Sequence, residues 1–81
     1  MQLQVKLFAR ARDLAGHDVV DVTVTDPATI ADLRLALAER FPDLVPLISS
    51  LLVAVGTQYA DDATILSSGD QIACFPPVSG G

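Results

Sequence analysis

The chain has 81 residues, 51% hydrophobic and 19% charged, from which one small folded core is expected, with no room for a second independent core and too much apolar content for a wholly disordered chain. Ten acids against five bases leave a net charge of −5, without the basic face that a nucleic-acid binder needs to displace counterions from phosphates. The longest apolar run, Leu51 to Val55, falls far short of the ~20 residues that span a bilayer. One Cys and one His can form neither an internal disulfide nor a four-ligand zinc site.

At the amino end, Leu3, Val5 and Leu7 alternate with Gln2, Gln4 and Lys6, the period-2 signature of a half-buried strand. No apolar block of the secretory kind stands there, and with a lone Cys the expected setting is a reducing cytoplasm. The alternation stops around Arg12 to Gly16, where a single helical turn and a glycine turn are expected. Val20, Val22 and Val24 alternate with Asp21, Thr23 and Thr25 and make a second strand, paired to the first as a hairpin with a long loop. Thr29 is an N-cap candidate, and Asp32 three residues on nearly completes a capping box. Ile30, Leu33, Leu37 and Phe41 recur at helical spacing, which predicts one amphipathic helix over residues 30–40, stopped by Pro42.

Asp43 to Ser50 reads as loop or a short irregular helix. Leu51 to Val55 reads as a strand buried on both faces, followed by a Gly56-Thr57 turn and a short return strand at Tyr59 and Ala60. Ser67 to Asp70 is another turn. Gln71 to Phe75 is the last strand, with Ile72 and Cys74 on one face and Ala73 and Phe75 on the other. A hairpin, a helix and further strands predict an α+β fold of the β-grasp kind: a mixed sheet with one main helix packed on one face. In that topology the first and last strands are parallel neighbours in the middle of the sheet.

Alternation has a consequence for the aromatics. If Leu3, Val5, Leu7, Ile72 and Cys74 face the helix, Phe8 and Phe75 must face away, among glutamines and Lys6. Together, with Tyr59 at their edge, they make a candidate docking patch on a polar face. A bulge that turned one ring inward would abolish it.

The chain then runs into Phe75-Pro76-Pro77-Val78-Ser79-Gly80-Gly81. Two prolines remove two amide donors and direct the chain out of the sheet, so residues 1–75 are read as the domain and 76–81 as an extended, flexible tail. Five extended residues reach roughly 17 Å, and two glycines can thread a narrow cleft. A carboxylate at Gly81 needs activation before it reacts, most simply as an acyl-adenylate formed with ATP. The chain has no Gly-rich phosphate loop, so no cofactor is expected on it, and ATP would be used by a separate activating enzyme. The activated acyl group could then be joined to an amine or converted to a sulfur-donating thiocarboxylate, ionised at neutral pH as a thiolate is. Residues 1–40 carry five bases and six acids, whereas residues 41–81 carry four acids and no base. That acidic half is suited to steering toward a basic protein surface.

Two segments carry a family resemblance. Val5-Lys6-Leu7-Phe8-Ala9-Arg10-Ala11-Arg12-Asp13-Leu14-Ala15-Gly16 resembles the amino-terminal motif of the molybdopterin synthase small subunit, the MoaD family, and Gly69 to Gly81 resembles its carboxyl end. The resemblance implies a ubiquitin-like β-grasp whose Gly81 carboxylate is adenylated by an E1-like enzyme of the MoeB type and converted to a thiocarboxylate. It implies that Pro76, Pro77, Val78, Ser79 and Gly80 carry that end into the large subunit, MoaE, with Phe8 and Phe75 matching the family's hydrophobic docking surface. Sulfur then passes to cyclic pyranopterin monophosphate within a heterotetramer of two small and two large subunits, the small subunit not being catalytic on its own. Asp13 replaces the usual Glu, and Gly56 stands where the family often has Asn. Three other readings compete: a ThiS-like carrier for thiamine thiazole synthesis, a ubiquitin-like modifier conjugated to lysines, and an interaction domain with an incidental tail.

The remaining polar residues give weaker signals. Cys74 is read as a small buried hydrophobe, His17 as a solvated loop residue, and Asp61-Asp62 as a plain turn. Arg10 and Arg12, flanking the loop at one sheet end, are candidates for partner contact.

Overall fold

The computed structural model describes residues 1–77. Strand β1 (Gln2–Leu7) alternates exposed and buried residues along its length and pairs antiparallel with β2 (Val19–Thr23). Helix α1 (Ala9–Ala15) occupies the connection and ends at Gly16, whose φ of 81° closes the cap by donating to the Arg12 carbonyl. The single turn expected there is thus a seven-residue helix, and Arg10 and Arg12 lie on it rather than flanking a loop. Helix α2 (Ile30–Arg40) begins at the expected capping box: the Thr29 hydroxyl accepts from the Asp32 N–H, and the Asp32 carboxylate accepts from the Thr29 N–H. Phe41, Pro42 and a 3₁₀ turn over Pro42–Leu44 end it, and a short helix α3 (Val45–Ile48) follows.

Strands β4 (Leu52–Val55) and β5 (Gln58–Ala60) form a hairpin around Gly56-Thr57. Gly56 has φ 63° while Thr57 does not share the positive sign, the pattern of a two-residue hairpin loop with glycine at its first central position. Strand β7 (Ile72–Phe75) inserts between β1 and β4, parallel to the first and antiparallel to the second. The main sheet runs β2-β1-β7-β4-β5, with the first and last strands paired in parallel at its centre. Two two-residue strands, β3 (Ala28–Thr29) and β6 (Ile65–Leu66), pair beside the start of α2. The α+β grasp predicted from the element order is the fold observed.

One face of the sheet packs on the helices. Leu3, Val5, Leu7, Val20, Val22, Val53, Ile72 and Cys74 from the sheet meet Ile30, Leu33 and Leu37 from α2 and Ala11 from α1, all buried. Leu37 is fully enclosed, so truncation removes its transfer free energy and leaves a cavity. Leu37→Ala is expected to cost about 3 kcal/mol, seen as a Tm lower by well over 10 °C in a domain of this size.

Candidate functional site

Among the described residues no helix lies over the opposite face of the sheet, and its side chains are dictated by the pleat. Phe8 follows β1 in extended conformation, φ −124° and ψ 154°, and its N–H donates to the Cys74 carbonyl at 3.2 Å. The ladder between β1 and β7 therefore continues one step beyond Leu7, and the Phe8 ring emerges opposite the Leu7 side chain. Phe75 emerges beside it, one residue beyond buried Cys74. The two rings stack with centroids 4.7 Å apart and planes 10° from parallel. Tyr59, on β5, meets Phe75 edge-on at 6.5 Å and 74°. Such pairings contribute roughly 0.5–1.5 kcal/mol each beyond area burial, so the rings favour this arrangement before any partner arrives.

Two further apolar side chains belong to this surface. Leu52 lies directly opposite Phe75 in the β4–β7 register and is 42% exposed; Val19, opposite Lys6, is equally so. The expectation that Leu51 to Val55 is buried on both faces is therefore corrected: Leu51 and Val53 are buried, while Leu52 stands on the open face. The signal lay in the sequence, because a strand of a sheet covered on one side must turn every second residue outward. Ala54, opposite Tyr59 and Ala73, is a small residue in the same row. A shallow hollow of about 650 Å³ adjoins the cluster, lined in part by Gln4, Lys6, Phe8, Gln71 and Ala73. Phe8 and Tyr59 are 40% and 71% exposed, so the patch is a surface and not a displaced piece of core.

The chain leaves this surface through half-buried Pro76 and exposed Pro77. Val78, Ser79, Gly80 and Gly81, also expected to take part, lie outside the described residues. Of the expected docking residues, Phe8, Tyr59 and Phe75 converge on one patch, with Pro76 next in sequence.

Cys74 faces away from the patch, fully enclosed under α2. Burial pushes its thiol from an ordinary value of 9.0 up to about 12, with the Arg34 guanidinium pulling the other way. A protonated, enclosed thiol is a core side chain and not a sulfur relay. Because the folded state holds this proton more tightly than the unfolded state, its stabilisation is complete below about pH 9. It is lost as pH rises from there through about 12. Urea titrations across that range should show unfolding free energy declining more steeply for the wild type than for Cys74→Ala, while alkylation of the folded wild type at pH 8 should be slow until urea unfolds it.

The other polar residues behave structurally. His17 is exposed in the loop before β2. Asp61 accepts from the Ala63 N–H and the Thr64 hydroxyl within its turn. Asp62 does more than fill a turn: it accepts from Arg34 Nε at 2.8 Å, while Arg34 also donates to the Ile48 carbonyl. Arg34 thus ties α2 to two loops, a tertiary link without a local sequence pattern. Among the described residues no group of acids, His and Cys is placed to hold a metal ion, and no helix is long and apolar enough to cross a membrane.

A β-grasp with helices on one face of its sheet, and with an aromatic patch on the other leading into a Pro-Pro exit, defines a small ubiquitin-like protein. The match to the ThiS family model covers residues 5–81, and the chain belongs to that family. Among curated relatives, the molybdopterin synthase sulfur carrier subunit of Arabidopsis thaliana is 36% identical over 83 residues, covering all of this chain and 84% of its own length. SAMP1 of Haloferax volcanii, a small archaeal modifier protein, superposes with a TM-score of 0.87 at 31% identity over the whole of both chains. A putative molybdopterin converting factor subunit 1 from Pyrococcus furiosus gives 0.84 at 28% identity, covering 95% of this chain and 98% of its own.

Proposed function

We propose that this chain is the sulfur-carrier small subunit of molybdopterin synthase, working in the cytoplasm with its Gly81 acyl group. The observation that carries the reading is full-length identity of 36% to a relative named for that role, joined to an open aromatic face that passes directly into Pro76 and Pro77. Residues 1–75 act as the rigid handle and residues 76–81 as the delivered end. An E1-like adenylyltransferase uses ATP to form the Gly81 acyl-adenylate: the carboxylate oxygen attacks the α-phosphorus and pyrophosphate leaves. A sulfur donor then displaces AMP to give the thiocarboxylate. The Phe8–Phe75–Tyr59–Leu52 face docks on the large subunit, and the thiocarboxylate sulfur attacks cyclic pyranopterin monophosphate there. The acidic half of the chain favours a basic partner surface, which raises association rate and orientation more than affinity. This chain supplies no acid–base machinery of its own; the partners bring it.

Incubation with the activating enzyme, ATP and a sulfur source is expected to raise the intact mass by about 16 Da, sulfur replacing oxygen at a group whose ionised form is the nucleophile. An unchanged mass despite pyrophosphate release would count against the carrier role. The likeness to a small archaeal modifier protein favours a second reading, conjugation of Gly81 to lysines of other proteins. The family match keeps a thiazole-forming carrier as a third. Lysine-linked adducts or transfer to a thiazole precursor would identify these.

A further inference from the structure

Lys6 is the one lysine in 81 residues, so all lysine chemistry on this chain is confined to a single atom. Lys6 is exposed on β1 near the middle of the sheet, on the face away from α2. Val19 flanks it on one side and Ala73 on the other, and Ala54 and Tyr59 continue the same row. Lys6 and Phe8 line the same hollow. The two ion pairs among the described residues are made by Arg12 and Arg34, so no carboxylate there engages the Lys6 ammonium. Competing nucleophiles are withdrawn: the Cys74 thiol is enclosed in the core, and the Met1 nitrogen is part-buried and donates to the Val24 carbonyl at 2.6 Å.

We propose that Lys6 is an acylation site for the activated Gly81 group of a second copy of this chain, and that the resulting isopeptide bond closes the open face to the large subunit. The proposal rests on the reading above in one respect, that Gly81 is activated as an acyl-adenylate. The neutral Nζ attacks the Gly81 carbonyl carbon; the C–N bond forms, the bond from that carbon to the AMP oxygen breaks, and AMP leaves with the electron pair. The surplus proton on nitrogen passes to solvent, and nothing is oxidised or reduced. Neighbouring strands are about 4.8 Å apart, so a tail linked at Lys6 crosses the footprint of any partner seated on the row from Ala73 to Tyr59. Conversely, a docked large subunit covers the amine. Docking and self-conjugation are therefore mutually exclusive, and carrier chains that find no large subunit are the ones diverted.

The test bypasses the activating enzyme. A ¹⁵N-labelled Lys6→Arg chain, prepared chemically with Gly81 as a small-thiol thioester, is mixed with unlabelled wild-type chain or an unlabelled Lys6→Arg chain at mildly alkaline pH. The expected result is a mixed-label conjugate whose branch maps to Lys6 by peptide sequencing, with at least tenfold less product from the Lys6→Arg acceptor. The purified conjugate should bind the large subunit at least tenfold more weakly than the free chain. Absence of conjugate, a branch mainly at Met1, equal yield from the Lys6→Arg acceptor, or unweakened binding of the conjugate would each overturn the proposal. Failure of the large subunit to bind the unmodified chain would instead strike the carrier reading, leaving the mapped branch to decide the acceptor site.

Discussion

Deleting Gly81 is expected to reduce sulfur transfer by at least about 10³-fold while leaving the thermal melt unchanged. In the proposed reaction the reacting carbon is that of Gly81, and removing this residue draws the acyl group back by about 3.4 Å. Displacements of 1 Å at a reacting centre already cost about 10²-fold, because rate depends on holding the reacting atoms in near-attack geometry. Among the described residues the buried core ends at Cys74, so the melt tests whether the deletion spares the fold. Single-turnover transfer assays and differential scanning calorimetry on the same preparation separate the two effects. A shortened chain that retained a tenth of the wild-type rate would show that the end group is not the working part.

Phe75→Asp is expected to weaken binding to the large subunit by about 100-fold or more, near 3 kcal/mol, the scale of a central interface anchor. Phe75 is the residue the other rings share: Phe8 stacks on it and Tyr59 meets it edge-on. A carboxylate at that position would lose the ring contacts and would have to be desolvated on docking. The side chain is only half-buried and on the face away from α2, so the loss of its stacking should lower stability far less than Leu37→Ala. Titration calorimetry with the large subunit measures the effect, and Leu52→Asp, across the register from Phe75, should reproduce much of it. Binding unaffected by both substitutions would move the interface off this face.

What was readable in advance followed the strength of each local signal. Helix α2 runs from Ile30 to Arg40 as predicted because its capping box, its apolar stripe and Pro42 all agree. Strands β1, β2 and β7 were legible from alternation, and the same alternation put Phe8 and Phe75 on the open face. Helix α1 was underestimated because seven residues offer too few turns for a periodic stripe, and only Ala11 of them is fully buried. The β3–β6 pair was missed since two-residue strands have no period at all; their pairing is set by where α2 begins. Leu52 was hidden by its apolar neighbours Leu51 and Val53, which made the run look buried throughout. The Arg34–Asp62 pair, 28 residues apart, depends on tertiary placement that no local pattern encodes.

In the proposed function the chain hands over a sulfur atom from Gly81 to a pterin. The most direct measurement mixes purified thiocarboxylated chain, with no other sulfur source, with the large subunit and cyclic pyranopterin monophosphate. Pterin product and intact carrier mass are then followed together. The account predicts that the carrier returns to its carboxylate mass as molybdopterin appears, two carriers consumed per dithiolene. Persistence of the thiocarboxylate beside a docked large subunit, with no sulfur reaching the pterin, would contradict it.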